Sequence, residues 1–273
     1  MARLTHPYPQ TSVRASDGPF RSAFLGSSRM SKENEKAASK GARKVKKTEG
    51  WRSNVITIGG ALLLALFIRI TLFEAFAIDG PSMEPTLLDG DRVVVAKYPF
   101  GLFLPFTNEA LINWGGPEPG DIIILHSPAD NEDIVKRVIG VGGDEILIRD
   151  GKISRNGRVL ETSELGPCNP DEQRNVDPTC HIYQEVLAGA PHRISHSKHD
   201  FPLDRLPLKV PEGHVYVLGD HRDSSNDSRN PLIGAVTNSR IKGKALFIYM
   251  SWRNTRGSLW ERIRWSRVGS SVE

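Results

Sequence analysis

The pattern of apolar positions divides the chain into three parts. Residues 1–50 are rich in Ser, Lys and Arg and show no apolar periodicity, which predicts a disordered tail up to residue 52. From Val55 to Phe73 the chain reads VITIGGALLLALFIRITLF, in which Arg69 is the only charge. About 20 apolar residues cross a bilayer, so this run predicts one transmembrane helix over residues 53–76. A buried core helix is the weaker alternative, because core helices rarely stay apolar on every face.

Beyond this run the pattern changes to short β-branched stretches bounded by Gly, Pro or Asp, which are typical of strands. No long amphipathic helix is visible, so residues 77–268 are predicted to form a mainly β domain. Asp150-Gly151 and Asn156-Gly157 separate neighbouring stretches and predict tight hairpin turns. Residues 161–212 hold seven prolines and both cysteines, which indicates a β-rich inserted subdomain over about 145–212. The predicted strands are 92–96, 121–125, 133–141, 145–149, 152–155, 158–160, 214–218 and 245–250.

The positive charge is concentrated in the N-terminal tail. Residues 1–50 carry eleven Lys/Arg and four Asp/Glu, so this segment has a net charge of +7 and the remainder of the chain −3. The folded part therefore shows no basic groove for a nucleic acid. Basic residues precede the apolar run and acidic residues follow it. The positive-inside rule then predicts a cytoplasmic N-terminus and an outer location for residues from about 77 onward.

The two cysteines lie twelve residues apart in a stretch rich in Pro, Asn and Asp. In an oxidising outer compartment, Cys168 and Cys180 are expected to form one loop-closing disulfide. A zinc pair is the weaker alternative, because the sequence contains no CxxC or HExxH spacing. No metal site is predicted.

The C-terminal stretch 252–268 is basic and holds three tryptophans. This composition fits contact with a membrane interface and equally well a packed terminus. The sequence leaves both alternatives open.

Two segments carry candidate chemistry for hydrolysis. Ser82 follows the apolar run, between prolines and a glycine that favour a non-helical turn. Lys136 lies in an apolar strand-like run, where Ile134 and Val138 share its face. Burial lowers the pKa of a lysine, so the neutral amine can take a proton from a serine. Each feature alone is common in proteins, but together they are the two parts of a Ser–Lys hydrolase.

A third segment strengthens this interpretation. The loop 219–229, GDHRDSSNDSR, follows the predicted strand 214–218. An ordinary turn and a calcium loop are the alternatives, but the acids lack the spacing of two and the central glycine that an EF-hand loop needs. A better role is to orient a lysine through a serine hydroxyl, with Asp–Arg pairs stiffening the loop.

With these segments in order, the chain resembles the bacterial type I signal peptidases. The resemblance covers about residues 70–268. It rests on an apolar run leading into FAI (76–78) and SMEPTL (82–87), then GDRV (90–93), GDII (120–123), IVKRVIG (134–140) with GD (143–144), and GDHRDSSNDSR (219–229). The family implies a transmembrane helix followed by a β-sheet catalytic domain with an inserted subdomain. It also implies cleavage of signal peptides without a metal or organic cofactor.

The resemblance further implies roles for individual residues. Ser82 would be the nucleophile and Lys136 the general base. Ser225 would hydrogen-bond the lysine amine. Supporting ion pairs would be Asp227 with Arg229 and Arg137 with Asp220. Shallow apolar pockets for small residues at −1 and −3 of the cleavage site would be lined by Phe76, Ile78, Met83, Leu87, Val93, Ile124 and Val135.

The chain departs from the family pattern at three positions. Where some members carry a serine whose hydroxyl joins the oxyanion hole, this chain has Gly80, so the Ser82 backbone N–H and the Gly80 region remain as candidate donors. His221 and Ser224 stand where Asn is common. The nucleophile and base assignments are unaffected by these departures.

The resulting hypothesis is a membrane-bound serine endopeptidase on the outer face of a bacterial inner membrane. Its partners would be the signal peptides of exported preproteins, membrane lipid and, as a further candidate, the secretion translocon, with no nucleic acid. A conjugation-type or organelle-type relative with few substrates is a narrower alternative. A catalytically inactive β module that binds at the membrane is the alternative from another class.

Overall fold

The computed structural model describes residues 49–103, 110–113, 115–169, 177–197, 205–253 and 258–272. These residues form a mainly β structure, as predicted. Helix α1 spans Glu49–Leu72 and the short helix α2 spans Leu259–Arg262. The strands are β1 Phe73–Ala77, β2 Asp91–Ala96, β3 Gly101–Phe103, β4 Ala110–Asn113, β5 Ile122–His126, β6 Asp133–Val141, β7 Glu145–Arg149, β8 Lys152–Arg155, β9 Arg158–Val159, β10 Glu161–Pro167, β11 Cys180–Leu187, β12 Ala190–Ser197, β13 Arg205–Lys209, β14 His214–Leu218, β15 Val236–Thr237 and β16 Ile241–Ser251.

Helix α1 contains the apolar run. Its segment Trp51–Arg69 is long and apolar enough to cross a membrane, and in the described part of the chain it is the one helix with this property. The helix ends at Leu72 rather than at 76, because residues 73–77 pair with β2 from Phe73↔Ala96 onward. It also begins at Glu49, so the last residues of the predicted tail are helical. The rest of that tail, residues 1–48, lies outside the described residues.

The central element is a seven-stranded antiparallel sheet with the order β1-β2-β16-β5-β6-β14-β15. Strand β5 lies near its middle and is buried on both faces. Ile122 and Ile124 belong to one core cluster, whereas Ile123 and Leu125 belong to another. Alternate residues of a strand point to opposite faces, so this apolar run supplies both cores.

Two smaller sheets occupy the predicted insertion. One has the order β10-β11-β12 and the other β13-β7-β8-β9. The turns Asp150-Gly151 and Asn156-Gly157 have positive φ at both residues, as the predicted two-residue hairpins require. Strands β10 to β13 were not predicted individually, because most of their side chains are exposed or partly exposed and give no strong apolar alternation.

The cysteines lie where β10 and β11 meet. Cys168 and Cys180 are bonded to one another, with their Cα atoms 5.4 Å apart. The backbone N–H of Cys168 also donates to the Cys180 carbonyl at 3.0 Å. The disulfide therefore closes the loop between two strands that already pair.

The C-terminal stretch packs through its arginines and exposes its tryptophans. Arg267 donates to the buried carboxylate of Asp91, with a shortest contact of 2.6 Å. Val272 is buried in the cluster that includes Ile122. Trp260 and Trp265 stack with ring centroids 5.3 Å apart and are 72% and 52% exposed. The terminus is thus packed on one side while two tryptophans remain on the surface.

Candidate active site

Ser82 lies in the turn between β1 and β2. The two ends of the turn are joined by backbone hydrogen bonds from Ile78 to Asp91 (2.8 Å) and from Gly90 to Ile78 (3.0 Å). Gly80 adopts φ +89°, a left-handed conformation that glycine tolerates best. Within the turn, the Glu84 N–H donates to the Pro81 carbonyl at 3.0 Å. These contacts hold the serine in the non-helical turn that the sequence predicts.

Lys136 approaches this turn from the central sheet. It lies in β6, opposite Ile123 of β5, and is 3% exposed. Its Nζ lies 2.9 Å from Ser82 Oγ and donates to the Val135 carbonyl, also at 2.9 Å. Burial lowers the pKa of Lys136 from 10.5 to about 8, although the carboxylates of Asp227 and Asp220 oppose this shift. A lysine in this state can take the proton of the neighbouring hydroxyl.

A cavity of about 340 Å³ opens beside the Ser82–Lys136 pair. Four of the predicted substrate-binding residues line it, together with the acidic residues Asp79, Glu132 and Asp133. These four are Phe76, Ile78, Ile124 and Val135.

The remaining three residues of that prediction lie elsewhere. Met83, Leu87 and Val93 are fully buried in the core cluster that also contains Ile78 and Ile124. They do not line the cavity, because their side chains pack into the core that supports the turn and the sheet. The structure therefore makes them part of the framework of the site rather than of its wall.

The loop 219–229 packs against the Ser82 turn. The N–H of His221 donates to the Ser82 carbonyl at 3.2 Å. A Cβ on Gly219 would overlap that carbonyl and the side chain of Ser225, so the close approach requires glycine. Asp227 accepts two hydrogen bonds of 2.7 Å from Arg229 and one of 3.0 Å from the Gly219 N–H. Burial raises the pKa of Asp227, but Arg229 and these hydrogen bonds outweigh it and hold the carboxylate ionised.

Ser225 differs from its predicted arrangement. Its hydroxyl is buried and does not form the expected bond to Lys136; it lies instead beside Asp227, where it helps to lower the pKa of that carboxylate. The lysine amine is directed instead to Ser82 Oγ and to the carbonyl of its own neighbour, Val135.

The second predicted ion pair lies on the other face of β6. Arg137 donates to both oxygens of Asp220 at 2.8 Å, and both side chains are buried. Burial raises the pKa of Asp220, but the charge and hydrogen bonds of Arg137 outweigh it and lower the pKa. Thr86, which the sequence did not single out, donates to the same carboxylate at 2.5 Å. Neighbouring residues of one strand thus serve two sides of the site, as strand alternation predicts.

The inserted sheet β10-β11-β12 also supplies a residue that the sequence analysis did not identify. Glu185 of β11 accepts two hydrogen bonds of 2.7 Å from Arg222, and both side chains are buried. Arg222 itself lies in the loop 219–229, but Glu185 gave no signal because it stands in the inserted subdomain, where the sequence predicts no individual strand between residues 161 and 213. Only a contact between residues 37 apart in sequence reveals it.

The oxyanion-hole expectation is partly revised. The backbone N–H of Gly80 donates to Asp89 Oδ1 at 3.0 Å and is therefore occupied. The Ser82 N–H has no acceptor among the described residues and remains the candidate donor. No group of three or more His, Cys, Asp or Glu side chains placed to hold a metal occurs in the described residues.

Most of this chain matches one family of known proteins. Residues 51–252 match the model of a family described as signal peptidase, peptidase S26. The chain belongs to this signal peptidase family. The matched region contains Ser82, Lys136 and the whole of the loop 219–229, so the family match covers every segment of the candidate site.

Individual relatives carry the same name. A signal peptidase I from Pseudomonas fluorescens is 34% identical over 219 residues, covering 76% of this chain and 75% of the relative. A signal peptidase I from Pseudomonas aeruginosa is 33% identical over 220 residues, with the same coverage. The crystal structure of a signal peptidase I from Enterococcus faecalis V583 shares 30% identity and has a TM-score of 0.32, covering 47% of this chain and 95% of that chain.

Proposed function

We propose that this chain is a membrane-anchored serine endopeptidase that removes signal peptides from exported preproteins, with Ser82 as nucleophile and Lys136 as general base. The observation that carries the proposal is the 2.9 Å contact between Lys136 Nζ and Ser82 Oγ beside a cavity that is lined in part by apolar side chains. Membership of the signal peptidase family supports the substrate class.

The chemistry follows from these positions. Neutral Lys136 takes the proton of Ser82 Oγ as the oxygen attacks the scissile carbonyl carbon. The resulting oxyanion accepts a hydrogen bond from the Ser82 N–H. The lysine then gives its proton to the leaving amine, and an acyl-ester on Ser82 remains. Lys136 next deprotonates a water molecule, which hydrolyses the ester and restores the serine.

The cavity supports a preference for small residues near the cut. Six of the eleven residues that line it are apolar, and its volume of about 340 Å³ is shared by the substrate groups next to the scissile bond. We propose that residues at −1 and −3 with short side chains fit there, whereas a large ring at −1 does not.

The buried hydroxyl of Ser225 supports a positioning role in this reaction. It lies beside the Ser82 carbonyl at the close approach of Gly219, next to Asp227, whose pKa it helps to lower. We propose that it contacts the Lys136 amine when substrate binds, as the family resemblance implies.

The apolar helix supports a membrane anchor. We propose that α1 crosses the inner membrane once, with the N-terminus in the cytoplasm and the catalytic domain outside, because the basic residues precede the helix. Membrane lipid and the secretion translocon are the partners that this location implies.

The test is cleavage of a preprotein by the full chain in lipid vesicles. Ser82→Ala and Lys136→Met should each abolish cleavage while remaining folded by circular dichroism, because nucleophile and base act as one unit. Ser163→Ala and Lys152→Met make the same changes at exposed positions of the insertion and should retain activity. Near-normal turnover by Ser82→Ala or Lys136→Met would contradict the proposed Ser82–Lys136 dyad. Failure of an acylating inhibitor to label Ser82 would favour the inactive β module.

A further inference from the structure

Strand β12 of the inserted sheet contacts two segments of the candidate site through one residue, Ser195. Its backbone N–H donates to the Asp220 carbonyl at 2.9 Å. Its side-chain Oγ donates to the Glu84 carbonyl at 3.0 Å. Ser195 is fully buried, so neither bond competes with water.

The two segments that Ser195 joins are those that carry the dyad and its support. Glu84 stands two residues after Ser82 in the same turn. Asp220 pairs with Arg137, which follows Lys136 in β6. A shift of Ser195 or loss of its hydroxyl would therefore change the position of the serine turn relative to the strand that carries the lysine.

The edge of β12 is committed to this contact. In its own sheet β12 pairs with β11 on one side only. On the other side, the N–H groups of β12 bond the loop 219–229 instead of another strand. Ser195 bonds Asp220, and Ser197 bonds the Asp223 carboxylate through both its N–H and its hydroxyl. An open edge of a sheet is usually blocked or covered, and here the loop 219–229 covers it.

Further contacts fix the same strand pair to the same loop. The buried ion pair between Glu185 and Arg222 joins β11 to the residue two after Asp220. Thr86 of the serine turn donates to Asp220 and, at 3.4 Å, to the Arg193 carbonyl of β12. Since these contacts hold the strand independently, removal of one hydroxyl should leave the insertion folded.

We propose that Ser195 is a positioning residue of the Ser82–Lys136 dyad, an inference that rests on the proposed function. Without its hydroxyl the Glu84 carbonyl loses a buried donor and the serine turn is less firmly held. A misplacement of about 1 Å can cost roughly 100-fold in rate. Ser195→Ala should therefore lower kcat at least about 10-fold, with KM within about twofold, because the cavity wall contains no part of β12.

The experiment measures kcat and KM for the full chain in vesicles, with active sites titrated by an acylating inhibitor. Ser195→Ala is compared with wild type and with Ser154→Ala. The control removes a hydroxyl that bonds the Leu147 carbonyl at 3.4 Å within the other inserted sheet, and it should retain the wild-type kcat. Ser195→Cys keeps a weaker donor on a somewhat larger side chain and should give an intermediate kcat, which also serves if Ser195→Ala does not fold.

The outcomes separate the two proposals. If Ser82→Ala is as active as wild type, the proposed function fails. If wild type cleaves and Ser82→Ala does not, but Ser195→Ala or Ser195→Cys retains the full kcat per titrated site, Ser195 has no positioning role. A loss confined to the number of titratable sites would likewise assign Ser195 to folding alone and overturn the inference. A lower kcat per site with unchanged KM is the result that the geometry predicts.

Discussion

The charge state of Lys136 should control activity near neutral pH, which makes the pH profile the sharpest test of the dyad. Burial lowers the pKa of this lysine to about 8, and the neighbouring Asp227 is the largest opposing influence. Because the neutral amine is the base, kcat/KM should rise as the pH increases through about 8.

The gain in neutral Lys136 at pH 7 follows from the size of its pKa shift. A pKa near 8 leaves roughly 10% of the lysine neutral at pH 7, whereas the ordinary value of 10.5 leaves about 0.03%. Burial therefore increases the population of the competent base by roughly 300-fold, equivalent to about 3 kcal/mol. Asp227→Asn removes a carboxylate that favours the ammonium and leaves Arg229 without its partner, and both changes lower the pKa of Lys136. The rise of kcat/KM should then move below pH 8.

The assay follows cleavage of a peptide with a blocked N-terminus and no group that titrates between about pH 6 and 9.5. The profile of kcat/KM reports the ionisation of the free enzyme. Glu161→Gln removes a negative charge at an exposed position of β10 and should leave the rise near pH 8. A midpoint above 10 would indicate an unburied lysine, and one near 6.5 a histidine base. A shift to higher pH in Asp227→Asn would contradict the electrostatic argument itself.

Three further substitutions test other parts of the site. Arg137→Met leaves the buried Asp220 carboxylate without its ion-pair partner and should lower the free energy of unfolding by about 3–5 kcal/mol, measured by urea denaturation. A loss below about 1 kcal/mol would mean that the pair is not buried. The double replacement Cys168→Ala/Cys180→Ala should keep kcat within about twofold while lowering the free energy of unfolding by roughly 3 kcal/mol. Detection of free thiols in the native protein by mass spectrometry would refute the disulfide. Ser225→Ala should slow cleavage about 100-fold, because the Lys136 amine would then be poorly oriented. Equal rates for Ser225→Ala and Ser224→Ala would show that Ser225 does not position Lys136.

Features that depend on a few neighbouring residues can be predicted from the sequence. The apolar run 55–73 implies a helix because a bilayer offers no partners to backbone N–H and C=O groups, which must then bond within the segment. Asp150-Gly151 and Asn156-Gly157 specify hairpins because these residues tolerate positive φ. The strand 133–141 has its predicted bounds, since β-branched residues on both of its faces suit a strand that is buried on both sides.

Contacts between residues that are distant in sequence arise only in the folded chain. Helix α1 ends at Leu72 because the next residues bond β2, and nothing local marks that boundary. Lys136 and Ser82 meet across 54 residues, and Ser195 and Glu84 across 111. Such contacts depend on which side chains exclude water together in the folded chain, and this choice is made by packing rather than by local propensity. For the same reason the apolar Met83 is a buried support of the site, whereas equally apolar Val135 lines its cavity.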